Sequence, residues 1–167
     1  MFDDSWTPLD ESEHERVWST FYDRFQFKAS HDSEGWPGFV PPMPSIIFDL
    51  SAIPEGPQLA TAADAINAEA LRCFVTVLPD GGQWIVLDWQ HTAYRFDAVA
   101  ASLSDGHTWS VSVYPDGDYY SFLLPDMTSG TFGHPWEQTL CIFGTPLVDT
   151  LGVTLASWLP VKRRSRA

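Results

Sequence analysis

Basic side chains are scarce in this chain. Residues 1–161 hold 22 carboxylates against only Arg16, Arg24, Lys28, Arg72 and Arg95, a body charge of −17, while Lys162, Arg163, Arg164 and Arg166 crowd the last few positions. A field of that sign repels phosphate backbones and anionic lipid, so neither nucleic acid nor membrane is expected as a partner; cationic small molecules and basic proteins would be drawn in. The plainer alternative is that the charge serves solubility alone. Cysteine is almost absent: Cys73 and Cys141 each sit inside an apolar run with no Cys-x-x-Cys spacing, which excludes a disulfide framework and reads as two buried, reduced thiols. No segment approaches 18 uninterrupted apolar residues, and residues 1–20 carry neither a positive stretch nor an apolar one. A spanning or exported chain is not expected, and a cytoplasmic location is.

The chemistry-bearing motifs that are missing narrow the function further. There is no Gly-x-Ser-x-Gly elbow, and neither cysteine has an adjacent base. Gly81-Gly82 and Gly130-Thr131-Phe132-Gly133 lack the Gly-Lys-Ser/Thr ending of a phosphate loop, and Gly-x-Gly-x-x-Gly is absent. Nucleotide chemistry is disfavoured and no cofactor is expected. What is abundant is aromatic: 24 residues, eight of them tryptophan, more than a core of 167 residues needs. Tryptophan and tyrosine favour places where an apolar face meets a polar partner, so some should line a pocket or interface.

Length and a 44% hydrophobic content suit one domain over residues 1–161, with 162–167 as a basic, disordered tail. Asp10 with Glu13 forms a capping box ahead of Val17, Trp18, Phe21 and Phe25, predicting a helix over 11–25. Residues 28–44, with Gly35, Pro37, Gly38, Pro41, Pro42 and Pro44, read as a long loop. Ser45–Leu50 reads as a strand, and Thr61 with Asp64 opens an alanine-rich helix over 62–77. Pro79-Asp80-Gly81-Gly82 is a turn before a strand over 83–89. Asp116-Gly117 between the alternating runs 109–114 and 119–124 predicts a hairpin. A strand over 137–143 and a helix capped by Thr145, with Pro146 at its first position and Gly152 weakening it, complete the chain. The order implies an α+β fold: an antiparallel sheet of about five strands with three helices packed mainly on one face.

Three segments provoke a functional reading: Asp88-Trp89-Gln90-His91 with Tyr94 and Arg95; Asp116-Gly117-Asp118-Tyr119-Tyr120; and Asp126 with the stretch from Gly130 through His134, Pro135, Trp136 and Glu137. All lie at strand ends or turns, and antiparallel neighbours would bring two or more to one edge of the sheet. Asp88-x-x-His91 and His134-x-x-Glu137 offer imidazoles and carboxylates, but positions three apart on a regular strand face opposite ways. Both members of a doublet reach one ion only if the chain turns between them. Pro135 suggests such a turn and Trp89-Gln90 does not force one, so no metal is assigned. As acid–base groups, His134 with Glu137 and His91 with Asp88 supply proton carriers with orienting carboxylates. The duller alternative is that Asp116 and Asp118 bond their own turn backbone and each histidine anchors a loop. As a contact surface, Trp89, Tyr94, Arg95, Asp118, Tyr119, Tyr120 and Trp136 would present aromatic faces and negative charge to a small cationic or amphipathic molecule, or to a basic protein. Core filling must absorb several of these aromatics.

The stretches Leu87-Asp88-Trp89-Gln90-His91, Tyr114-Pro115-Asp116-Gly117-Asp118-Tyr119-Tyr120 and Phe132-Gly133-His134-Pro135-Trp136-Glu137 resemble a bacterial family catalogued as domain of unknown function 2716. The similarity extends to Asn67-Ala68-Glu69-Ala70-Leu71 and covers the chain from about Pro44 to Leu151. The resemblance implies no activity and assigns no catalytic residue. Binding through the aromatic and acidic cluster is the leading expectation, and acid–base catalysis the alternative.

Overall fold

The computed structural model describes residues 4–78, 80 and 82–166. Its strands are β1 (Trp6–Pro8), β2 (Ser45–Asp49), β3 (Trp84–Asp88), β4 (Tyr94–Phe96), β5 (Tyr120–Leu123), β6 (Gly130–His134), β7 (Thr139–Phe143) and β8 (Val161–Ser165). They form one sheet in the order β1-β4-β3-β5-β6-β7-β2-β8, every neighbouring pair antiparallel. Helices α1 (Glu11–Phe25), α2 (Pro57–Val77) and α3 (Ala98–Leu103) precede a C-terminal helical run of α4 (Thr145–Leu147), a π-helical stretch Val148–Gly152 and α5 (Val153–Ala156). The α+β class and the antiparallel sheet stand. Among the described residues the sheet has eight strands, not about five.

Helices cover both faces, not one. Trp84, Val86, Ile46, Phe48, Phe122, Leu140 and Ile142 meet Ile66, Ala70 and Phe74 of α2 together with Leu147, Leu151 and Leu155. The alternate residues Ile85, Leu87, Ile47, Leu123, Phe132, Cys141 and Phe143 meet Phe21 and Phe25 of α1, with Phe27 and Phe39 from the loop that follows it. A strand covered on both faces reads as a continuous apolar run. Ile46-Ile47-Phe48, Ile85-Val86-Leu87 and Leu140-Cys141-Ile142-Phe143 carry that signature, a sign of two covered faces that the sequence reading passed over.

The predicted hairpin is absent. Residues 109–114 form no strand, because β5 already pairs β3 on one side and β6 on the other. The segment instead lies across the α2 face, burying Val111, Val113 and Tyr114. Its main chain is held by the buried side chain of Asn67 in α2, whose Oδ1 accepts from the Val113 amide (2.9 Å) and the Tyr114 amide (3.2 Å). Asn67 Nδ2 donates to Ser112 Oγ (3.0 Å). The alternation of Val111 and Val113 therefore records burial against a helix, not ladder pairing. Gly133 makes room for this crossing, since a Cβ there would come within 2.8 Å of Pro115 Cβ.

Smaller expectations also shift. The Asp10 half of the capping box holds, with Glu13 N donating to Asp10 Oδ1 at 2.8 Å, while the Glu13 carboxylate pairs with Arg95. Helix α2 begins at Pro57, five residues before the predicted start, because proline at the first turn has no amide to leave unpaired. Gly144, at φ 86°, rather than Thr145, caps α4. Gly152 does not end the helical run; it permits a close approach to the sheet, where a Cβ would lie 3.3 Å from Ile46 Cγ2. The predicted tail is β8, paired to the edge of β2 through Ser45↔Ser165 and Ile47↔Arg163. Pro79 and Gly81 of the predicted turn lie outside the described residues. Replacing Asn67 with alanine leaves two buried amides without an acceptor, and urea denaturation is expected to show a loss of about 2–4 kcal/mol with an unchanged m-value.

Candidate functional site

Register brings the three motif segments to one end of the sheet. Asp88 pairs Tyr120, Tyr120 pairs Gly133, and His134 beside it pairs Thr139. The sheet then divides them. Asp88 continues the face of Trp84 and Val86, and Tyr120 packs on that core, whereas Tyr119, Phe132 and Trp136 belong to the α1 side.

On the α2 side the chain turns after β3, with Gln90 at φ 66° and the His91 amide donating to the Asp88 carbonyl at 2.9 Å. This turn brings the first doublet together: His91 Nδ1 lies 3.0 Å from Asp88 Oδ1 and 3.9 Å from Asp118 Oδ2. The imidazole is 62% exposed over two carboxylates exposed to only 20% and 19%. Asp118 Oδ1 accepts from the Tyr119 amide (2.8 Å), and Tyr120 donates its hydroxyl to Asp116 Oδ1 (2.8 Å). Burial pushes the Asp88 carboxyl above its ordinary range, with Asp118 and Asp116 adding to the rise and the bond to His91 opposing it. The Asp88 contact raises His91, and burial followed by the Asp116 bond raises Tyr120. Among the described residues no lysine or arginine pairs with Asp88, Asp116 or Asp118. One donor atom each from Asp88, His91 and Asp118 lies within 4.8 Å of the others, so these three residues are able to hold a metal ion.

On the α1 side His134 is 1% exposed. Its Nδ1 accepts from the Glu137 amide at 3.0 Å, which leaves the proton on Nε2, and that nitrogen has no hydrogen-bond partner among the described residues. Tyr119 and Trp36 stand edge-on to the ring at 4.9 and 5.4 Å. The Glu137 carboxylate belongs elsewhere: Oε1 accepts from Thr139 Oγ1 (2.8 Å) and from Arg163 Nη2 of β8 (2.9 Å). The second doublet is thus a turn in which the backbone of Glu137, not its carboxylate, meets the imidazole. Burial lowers the His134 pKa to about 4. Burial alone would raise Glu137, but its bonds to Arg163 and Thr139 prevail and hold it low. A strap over residues 28–38 closes this side. Tyr119 donates to the Ser30 carbonyl (3.1 Å) and accepts from the Ser30 amide (2.8 Å), the Trp36 indole donates to the same carbonyl (2.8 Å), and the His31 ring lies tilted against Trp136 at 4.2 Å.

The remaining aromatics divide by position. Trp89 donates its indole N–H to Tyr22 Oη (3.0 Å) and, with Trp18, His14 and Glu15, lines a groove of about 410 Å³ between α1 and the 88–91 turn. Tyr94 and Arg95 are not brought to the cluster. Tyr94 packs edge-on to Trp6 at 5.6 Å, and Arg95 forms an ion pair with Glu13 of α1, an anchor between β4 and that helix. Sequence reasoning missed Trp18, Tyr22, Trp36 and Arg163. Trp18 was read only as part of a helical period, Tyr22 drew no reading, Trp36 sits in an aperiodic loop, and Arg163 lay in the presumed tail.

The family model described as protein of unknown function, DUF2716, matches residues 8–148. The chain belongs to this family. It is also similar to the uncharacterized protein YxiI of Bacillus subtilis (strain 168), 26% identical over 152 residues that cover 88% of this chain and 92% of the relative. No solved structure matches. Among the described residues no helix is long and apolar enough to cross a membrane.

His134 and Glu137 give the fold a defined response to acid. Folded His134 titrates near 4, below the value of about 6.5 for an unfolded histidine, so the unfolded chain binds the proton first and stability falls as pH drops from about 6.5 toward about 4. Glu137, held low in the fold, adds a further loss once its carboxyl protonates and releases Arg163. NMR titration is expected to show the His134 ring unchanged down to about pH 5, with the urea midpoint declining over the same range. A His134 titration centred near 6.5 in folded protein would contradict this.

Proposed function

We propose that this member of the family is a binding module for a cationic, amphipathic ligand, taken up at the end of the sheet where the acidic turn residues meet the Trp89 groove. One observation carries the reading: Asp88, Asp116 and Asp118 gather with no arginine or lysine against them among the described residues, and Trp89, which lines the aromatic groove, directly follows Asp88 in the chain. A partly desolvated carboxylate attracts a cation more strongly than one in water, and indole and phenol faces add cation–π and apolar contact. Trp89 sits at the junction, its neighbour Asp88 facing one side of the sheet and its own ring the other. The contact set is narrower than the sequence reading. Tyr119 and Trp136 support it from beneath the strap, and Tyr94 and Arg95 brace β4. A basic protein segment is the other cation of this chemistry, and a cytoplasmic setting, in which buried Cys73 and Cys141 stay thiols, fits either.

A second reading is an acid–base enzyme. The observation in its favour is the exposed His91–Asp88 hydrogen bond, the one imidazole–carboxylate pair of the two doublets in which ring and carboxylate meet. His134 with Glu137 supports it less, because Arg163 and Thr139 occupy that carboxylate.

Benzyltrimethylammonium is a suitable probe. Calorimetric titration is expected to show one weak site, weakened about fivefold or more by Trp89→Ala and by the pair Asp88→Asn/Asp118→Asn, and weakened by added salt. Affinity indifferent to all three changes would remove the reading. The enzyme reading expects instead that His91→Ala abolishes turnover while probe affinity holds within about twofold.

A further inference from the structure

The carboxylates of the proposed cation site arrive with an imidazole among them, which changes the class of cation they suit. We infer that Asp88, His91 and Asp118 hold a divalent transition-metal ion. The inference rests on the reading that this end of the sheet attracts positive charge, and it assigns a metal ion to the carboxylates.

Distance is the first argument. Ligands to such an ion sit about 2.1 Å from it, so adjacent donors lie about 3.0–3.4 Å apart. His91 Nδ1 stands 3.0 Å from Asp88 Oδ1 and 3.9 Å from Asp118 Oδ2, and the three donors lie within 4.8 Å of one another. A swing of the Asp118 side chain toward His91 and Asp88 closes the set. The two doublet residues meet because of the left-handed Gln90 turn, and Asp118 reaches them because β5 starts directly beside the end of β3.

Donor chemistry is the second. One imidazole nitrogen with two carboxylate oxygens suits zinc, manganese or ferrous iron, whereas magnesium and calcium prefer oxygen throughout and cuprous copper prefers sulfur. The carboxylates form a floor about four-fifths buried and the imidazole an open wall. Solvent-side positions therefore remain for water or a ligand group. The charges are the third. Two largely buried carboxylates, with Asp116 nearby, have no lysine or arginine against them among the described residues, an arrangement a bound ion relieves. By contrast His134 and Glu137 fall in no such group among the described residues, since Nδ1 meets the Glu137 amide and the carboxylate Oε1 meets Arg163 and Thr139.

Zinc titrated calorimetrically into the chelator-treated full chain is expected to show one site. Asp118→Asn and His91→Ala should each weaken it tenfold or more, His31→Ala should leave it unchanged, and excess magnesium should not displace it. A measurement without variants accompanies it: manganese added to isotope-labelled protein should broaden the amides of residues 88–91 and 116–119 before any others. No binding up to about millimolar metal, broadening centred elsewhere, or an affinity unchanged in Asp118→Asn would overturn the inference. Benzyltrimethylammonium titrated into the same sample separates the two failures. Probe binding without metal binding removes the metal alone, and loss of both removes the cation site as well.

Discussion

The rest of the molecule depends on one constraint: the central strands of the sheet are buried on both faces, by α1 on one side and by α2 with the C-terminal helical run on the other. Buried main-chain groups must be paired, and buried side chains at mid-strand must be apolar. Polar residues are thereby driven to strand ends. At one such end Asp88 pairs Tyr120, Tyr120 pairs Gly133 and His134 follows it, so the candidate site is a by-product of how the core is covered. The same constraint explains Asn67. A segment laid across a helical face without strand partners needs its amides satisfied, and a single buried amide side chain does it.

Legibility in the sequence followed the range of the responsible force. The α1 cap, β2, β3 and the long loop are governed by neighbours a few residues away, and composition and period disclosed them. The Val111 and Val113 alternation misled, since period two reports which side is buried and says nothing of what buries it. β1, β4 and β6 escaped notice because three-residue strands and a glycine-bearing one carry too little β-propensity to stand out. β8 was hidden by its charge: a strand exposed along its whole length at a sheet edge resembles a solvated terminus in composition.

The candidate site divided in a comparable way. That Asp88, His91 and Asp118 carried chemistry was readable from residue type, but their meeting depends on the Gln90 turn and on β5 lying beside β3. Neither leaves a local trace. His134 and Glu137 were readable as a pair, yet the pairing that matters joins Glu137 to Arg163, 26 positions away. Long-range ion pairs with few distinguishing neighbours are the hardest contacts to infer from one sequence.

The strand β8 has a consequence for how the protein keeps to itself. β2 offers Ile46, Ile47 and Phe48 in succession, a segment whose bare edge would template pairing with another chain. β8 covers that edge with Lys162, Arg163 and Arg164, whose mutual repulsion discourages a further strand from adding on. At the opposite margin β1 is three residues long and ends in Pro8, which has no amide to offer a newcomer. The two margins of the sheet discourage edge-to-edge pairing by different means, charge at one and a missing donor at the other.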